Sequence, residues 1–173
     1  MLKLAGTTRK IMGDAMFAKY FSIFLISMVP LIELRGAIPI ALGMGLDTIP
    51  SIVICAVGNM LPVPIIYLFA HRFLLWGLDK PVIGPVCRFF HEKGEKAGKR
   101  LVSSKFGKYG LMVALTAFVG IPIPGTGAWT GTLGASFLEM GIKETILSVC
   151  AGVILAGIIM ASVSLVGIHV FGL

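Results

Sequence analysis

The chain has 173 residues, of which 57% are apolar and 13% charged, and its mean hydropathy is +0.96. Soluble domains sit nearer half apolar and a quarter charged, so this balance excludes an ordinary soluble enzyme and indicates one compact integral membrane domain, too short to carry a separate catalytic domain as well. The formal charge of +7 is concentrated between Arg72 and Lys108, where nine Lys/Arg face three acids; beside membrane spans such a loop reports topology rather than nucleic-acid binding.

Residues 1–18 carry Lys3, Arg9, Lys10 and Asp14 without the apolar core and small-residue cleavage site of a signal peptide, which predicts an uncleaved start. Leu2, Ile11, Met12, Ala15 and Met16 share part of one helical face, as an interfacial helix would. Residues 19–30 predict an apolar arm of roughly 18 Å at 1.5 Å per residue. The hydrocarbon core is about 30 Å thick, so this arm reaches only part-way.

At its end Val29–Pro39 places Glu33 and Arg35 in otherwise hydrocarbon-soluble sequence, flanked by Pro30, Gly36 and Pro39. An ionisable residue inside a membrane costs about 2.5 kcal/mol or more and marks a functional site by default. Proline and glycine break helices and leave backbone groups unpaired. With the short arm Gly36–Leu46 that follows, the stretch predicts a re-entrant hairpin whose tip is the site.

Asp47 and Pro50 signal a helix start. The span to about Trp76 is interrupted by Asn59, Pro62 and Pro64, predicting a kinked helix with Asn59 facing protein. His71 and Arg72 mark its exit, and His71, like His169, reads as interfacial. Residues 77–108 predict a basic amphipathic surface helix. Val86, Phe89, Phe90, Ala97, Leu101 and Val102 fall on one side, and Glu92/Lys96 and Glu95/Lys99 form i,i+4 pairs.

The first-half pattern then returns. A short arm, Tyr109–Val119, meets a tip containing Pro122, Pro124, Gly125, Thr126 and Gly127, and a small-residue arm runs from Ala128 to about Leu138. A final span follows from Thr145 to about Phe171. The halves align at an offset of 91, Gly36-Ala37 over Gly127-Ala128 and Leu42-Gly43 over Leu133-Gly134.

The expected fold is therefore an all-α integral membrane protein of two inverted-topology repeats, residues 19–76 and 109–173. Each repeat is a re-entrant helical hairpin plus a long transmembrane helix, and the basic amphipathic segment joins them. Secondary transporters share this architecture and place their sites at broken helices. The charge distribution puts the 77–108 loop in the cytoplasm, at the inner membrane of a prokaryote.

Cys55, Cys87 and Cys150 give no pairing framework, and Cys87 with His91 is at most half a metal site, so neither metal nor cofactor is expected. No nucleophile–base constellation occurs, and an enzyme is not expected.

The tips Pro30–Pro39 and Pro122–Trp129 resemble those of the small multi-drug export protein family of bacteria and archaea, and the resemblance extends over nearly the whole chain. The chain is also distantly similar to the DedA superfamily, whose opposed re-entrant hairpins carry acidic and arginine residues and some of whose members are implicated in moving lipid phosphates such as undecaprenyl phosphate. The second tip departs from that pattern in offering Thr126 and no arginine.

The sequence accordingly points to a transporter or flippase for an amphipathic, anionic-headgroup substrate. Arg35, Gly36, Thr126 and Gly127 would bind it, and Glu33 would couple a proton. Pro30, Pro39, Pro122, Pro124 and Gly125 would shape the tips, with Asn59 a further polar candidate. Multidrug efflux and a non-transporting scaffold are the alternatives. Membrane lipids and a second copy of the chain are the expected partners, and nucleic acid is not.

Overall fold

In a computed structural model, residues 2–89, 91, 92, 96 and 107–171 are described, and every element among them is helical. The helices are α1 (Leu2–Met28), α2 (Glu33–Gly43), α3 (Thr48–Met60), α4 (Pro62–Gly77), α5 (Gly107–Gly120), α6 (Ala128–Phe137) and α7 (Ile142–Phe171). Residues 84–89 form a further short helical stretch. Among the described residues two stretches are long and apolar enough to cross a membrane, Thr48–Gly77 and Ile142–Gly167.

The chain divides into two compact units, one of residues 1–59 with 157–173 and the other of residues 60–156. The divisions fall inside the two long spans, so the units cut across the two sequence halves.

Two expectations meet a different local structure, and a third, the kinked helix, is met with its break one residue before Pro62. The leader and first apolar arm form one continuous helix, α1, because nothing between Lys19 and Met28 breaks it and Gly6 and Gly13 cost only about 1 kcal/mol each. The helix expected from Gly36 starts three residues earlier, at Glu33. The kinked helix is interrupted at Leu61, where Pro62 and Pro64 supply no N–H to the carbonyls four residues before them. Phe90, Ala97, Leu101, Val102 and the Glu95/Lys99 pair of the expected surface helix lie outside the described residues, as do the side chains of Leu2 and Ile11.

In the first unit α1 and α2 pack as a pair, with Ile23, Leu34, Ala37, Ile38, Ala41 and Cys55 buried. Gly58 lets α3 close on α1: a Cβ there would overlap the Ser27 hydroxyl and lie 2.6 Å from the Phe24 carbonyl oxygen. Lys19 Nζ donates to the Met44 carbonyl at 3.0 Å, at the C-terminal end of α2.

The second unit packs α4 on α6. The Tyr67 hydroxyl donates to the Met140 carbonyl at 2.6 Å, and Ser136 Oγ donates to the Tyr67 carbonyl at 3.3 Å. Gly152 lets α7 close on α5, where a Cβ would lie 2.9 Å from the Thr116 carbonyl oxygen. His91 Nδ1 pairs with Glu139 Oε1 at 2.6 Å.

The two hairpins end alike. Gly45 donates to the Leu42 carbonyl and Leu46 to that of Ala41; Glu139 donates to the Ser136 carbonyl and Met140 to that of Ala135. Both are Schellman stops with a left-handed residue, Gly45 at φ 74° and Glu139 at φ 53°, followed by a buried apolar residue. Ser51 then bonds back to Asp47 through both N–H and hydroxyl, and Thr145 does the same to Gly141. These pairs all stand 94 residues apart, not 91, because the second turn is longer. Before the turns the spacing is 92, by which Phe24 corresponds to Thr116 and Ser27 to Val119 as the contacts of Gly58 and Gly152.

Small residues at Gly58 and Gly152 thus fix equivalent helix contacts. Gly58→Val and Gly152→Val are each expected to cost about 1–3 kcal/mol through overpacking, read as a lower thermal midpoint in detergent. Gly134→Ala in α6, where a Cβ meets nothing within 4 Å, should be neutral or stabilising.

Candidate functional site

The first turn, residues 29–32, is closed by Val29 N–H to the Ile26 carbonyl (3.1 Å) and Glu33 N–H to the Val29 carbonyl (3.0 Å). Pro30 fixes its own φ, and the chain reverses through Leu31 at φ 77° and Glu33 at φ 50°. Left-handed backbone costs a residue with a Cβ about 1–2 kcal/mol, so two such residues within three positions are a sign of constraint. Leu31 projects from the turn, almost fully exposed, while Glu33 is only 5% exposed.

Glu33, still left-handed, is the first residue of α2, and Arg35 lies in its first turn. Arg35 is half-buried and interacts electrostatically with Glu33. Pro39 lies inside α2 and withholds the N–H that would pair with the Arg35 carbonyl. The Gly36 N–H donates to the Ile32 carbonyl at 2.9 Å, so that donor is used within the chain. A Cβ at Gly36 would meet Ile32 Cγ2 at 2.6 Å.

Asn59, on the buried face of α3 with Ser51, Cys55 and Gly58, is fully buried, and neither its amide nitrogen nor its amide oxygen has a hydrogen-bond partner among the described residues. Ser27, also fully buried, donates its hydroxyl to the Phe24 carbonyl at 2.7 Å.

The second turn belongs to the other unit. It is tied by its own threonines: Thr126 Oγ1 lies within bonding distance of the Ile121 and Ile123 carbonyls, at 3.0 and 2.9 Å. Thr130 Oγ1 lies 2.8 Å from the Gly125 carbonyl. Gly125 takes the left-handed position at φ 87°. Pro122 and Pro124 lack N–H groups, and Gly127 is the N-cap of α6 and accepts from Gly131 N–H at 2.9 Å. The expected site residues thus fall into two sets: Pro30, Glu33, Arg35, Gly36, Pro39 and Asn59 in the first unit, and Pro122, Pro124, Gly125, Thr126 and Gly127 in the second.

Sequence reasoning missed Ser27 and Thr130, since a lone hydroxyl in an apolar run gives no signal. It also missed a groove of about 260 Å³ between α5 and α6, lined by Leu111, Leu115, Phe118, Gly131, Gly134 and Leu138 among others. His71, read as interfacial, stacks on Tyr67 with ring centroids 6.1 Å apart.

Residues 33–159 match the family model described as "Putative small multi-drug export protein". The match starts at Glu33 and takes in Arg35, Asn59 and the whole second turn. No curated protein and no solved structure matches the chain.

The hydrogen bonds of Thr126 make it a fastener of its own turn. Thr126→Val is expected to lose about 1–2 kcal/mol and to speed amide exchange across residues 121–127, while Thr126→Ser retains most of both. A Val variant of unchanged stability and exchange would remove that role.

Proposed function

The chain belongs to the small multi-drug export protein family, and from that premise we propose that it is a secondary transporter or flippase for an amphipathic substrate with an anionic headgroup. The observation that carries this reading is the charged first turn of α2, with Glu33 almost fully buried beside Arg35. A helix N-terminus attracts anions, and a guanidinium offers a planar fork suited to phosphate or carboxylate. Glu33 opposes an anion while ionised, so its protonation would be linked to substrate movement. A lipid phosphate such as undecaprenyl phosphate has the required headgroup and tail.

The lengths of the second arms support re-entrant hairpins. Helices of 11 and 10 residues, α2 and α6, are roughly 16 and 15 Å long, about half the hydrocarbon thickness. The shared Schellman stops and hydroxyl bonds support two repeats, and the order of elements supports an inverted topology. The basic loop would then face the cytoplasm at a prokaryotic inner membrane.

Export of small amphipathic drugs, which the family description names, is the second reading. It is favoured by the apolar groove between α5 and α6, close in size to small-ligand sites.

Reconstitution into liposomes separates the two. Arg35→Ala is expected to abolish flipping of a lipid phosphate, with the thermal midpoint within a few degrees of wild type, and Arg35→Lys to retain part of it. Full activity in Arg35→Ala would sink the anionic-headgroup reading. Dye efflux lost on filling the groove with Gly134→Leu, but untouched by Arg35→Ala, would favour the second.

A further inference from the structure

Three helix ends converge in the first unit. Gly58 lies against Ser27 and the Phe24 carbonyl, which sets the C-terminal end of α3 beside that of α1. The short turn, tied by the Glu33-to-Val29 bond, places the N-terminus of α2 at the same end. Ser27, Glu33, Arg35 and Asn59 thus lie at the same end of the unit, where the N-terminus of α2 meets the last turns of α1 and α3.

The second half is an internal control. At the spacings fixed by its hydrogen bonds, Val119 stands where Ser27 does, Gly127 for Glu33, Trp129 for Arg35 and Val153 for Asn59. The same helix contacts and Schellman stops are therefore built without any of the four polar side chains. Packing does not require them.

The bonding inventory at this end is unbalanced. Ser27 spends its proton on Phe24, leaving its lone pairs free to accept. Pro62 has no N–H for the Gly58 carbonyl. Asn59 is buried with its amide oxygen and NH2 group both unpartnered among the described residues, a condition that costs several kcal/mol in hydrocarbon if nothing fills it. Three neutral oxygens at a break in a helix suit a hard monovalent cation, and broken membrane helices bind sodium in this way.

We propose that the C-terminal end of α3 binds a monovalent inorganic cation of the sodium type on the Asn59 amide oxygen, the Gly58 carbonyl and the Ser27 hydroxyl, while the Asn59 NH2 group donates to the anionic headgroup held by Arg35, so that cation and anion bind together. The anion half rests on the proposed function above. Charge supplies the coupling: while Glu33 is ionised it cancels Arg35, so a cation or a monoanion alone leaves a net charge at low dielectric and the two together leave none, the cation doing for the anion what protonation of Glu33 would otherwise do. By reciprocity each ion tightens the other by the same factor.

The test uses the full-length protein in neutral detergent at fixed pH and ionic strength, with decyl phosphate as the anion probe and NaCl against choline chloride. Direct 22Na binding is measured alongside. In the wild type, sodium is expected to tighten decyl phosphate about ten-fold, within the usual range of coupling between sites, and decyl phosphate to tighten sodium equally. In Asn59→Ala that factor should fall to about one. Asn59→Asp, which keeps the acceptor oxygen and replaces NH2 by a second, charged oxygen, should retain sodium and weaken decyl phosphate. Equal decyl phosphate affinity in the two salts overturns the coupling, and sodium binding lost in Asn59→Asp or unchanged in Asn59→Ala overturns the site. Decyl phosphate binding intact without any sodium binding refutes the cation site and leaves the anionic-substrate reading standing. Sodium binding that depends on Asn59, with no decyl phosphate binding in either salt, refutes the anionic-substrate reading and the coupling, and upholds the cation site.

Discussion

Backbone amides and carbonyls inside hydrocarbon have no water to fall back on, so each must find its partner within the chain. The nine prolines press on this constraint, because each removes a donor. The chain answers in two ways. The turn at residues 121–127 recruits the hydroxyls of Thr126 and Thr130 to hold its carbonyls. The turn at residues 29–32 instead passes through left-handed Leu31 and Glu33 and resumes helical bonding at once, with Glu33 bonded to Val29 and Gly36 to Ile32.

Close helix packing takes over where water-driven burial is unavailable. Lipid tails are as apolar as leucine, so small residues that let backbones approach decide the interfaces. Gly58 against α1 and Gly152 against α5 do the same work in each half. Leu46 and Met140 close the C-terminal ends of the two short second helices, and Ser51 and Thr145 start the next ones. With this framework shared, the difference between the halves is chemical: one turn carries a carboxylate and a guanidinium, and the other only uncharged hydroxyls.

Composition sufficed for a helical membrane chain, since a few charges spread among long apolar runs admit little else. Pro62 and Pro64 announced the break near Leu61 because a missing N–H is a local property. Identities among Gly and Ala align the halves at an offset of 91, whereas the hydrogen bonds that end α2 and α6 recur at 94, a pattern of carbonyl pairing that sequence does not display. The start of α2 at Glu33 was hidden for a related reason: Pro30 and Gly36 suggest a longer irregular tip, but a left-handed Glu33 lets the helix begin immediately. The burial of Asn59 was foreseen from polarity alone, whereas Ser27 became visible only through its contact with Gly58.

Strain and buried charge coincide in the first turn. The second turn meets its need for left-handed backbone with Gly125, which pays almost nothing for it. The first puts leucine and glutamate at such angles, at about 1–2 kcal/mol each, although glycine would relieve both. Glycine at residue 33 would also delete the carboxylate, and any right-handed conformer there would point that carboxylate elsewhere. A cost retained where a cheaper residue exists argues that the direction of the Glu33 side chain is what the turn preserves. Arg35, one turn-step further along α2, then lies within its electrostatic reach, and the pair becomes a property of backbone geometry as much as of two side chains.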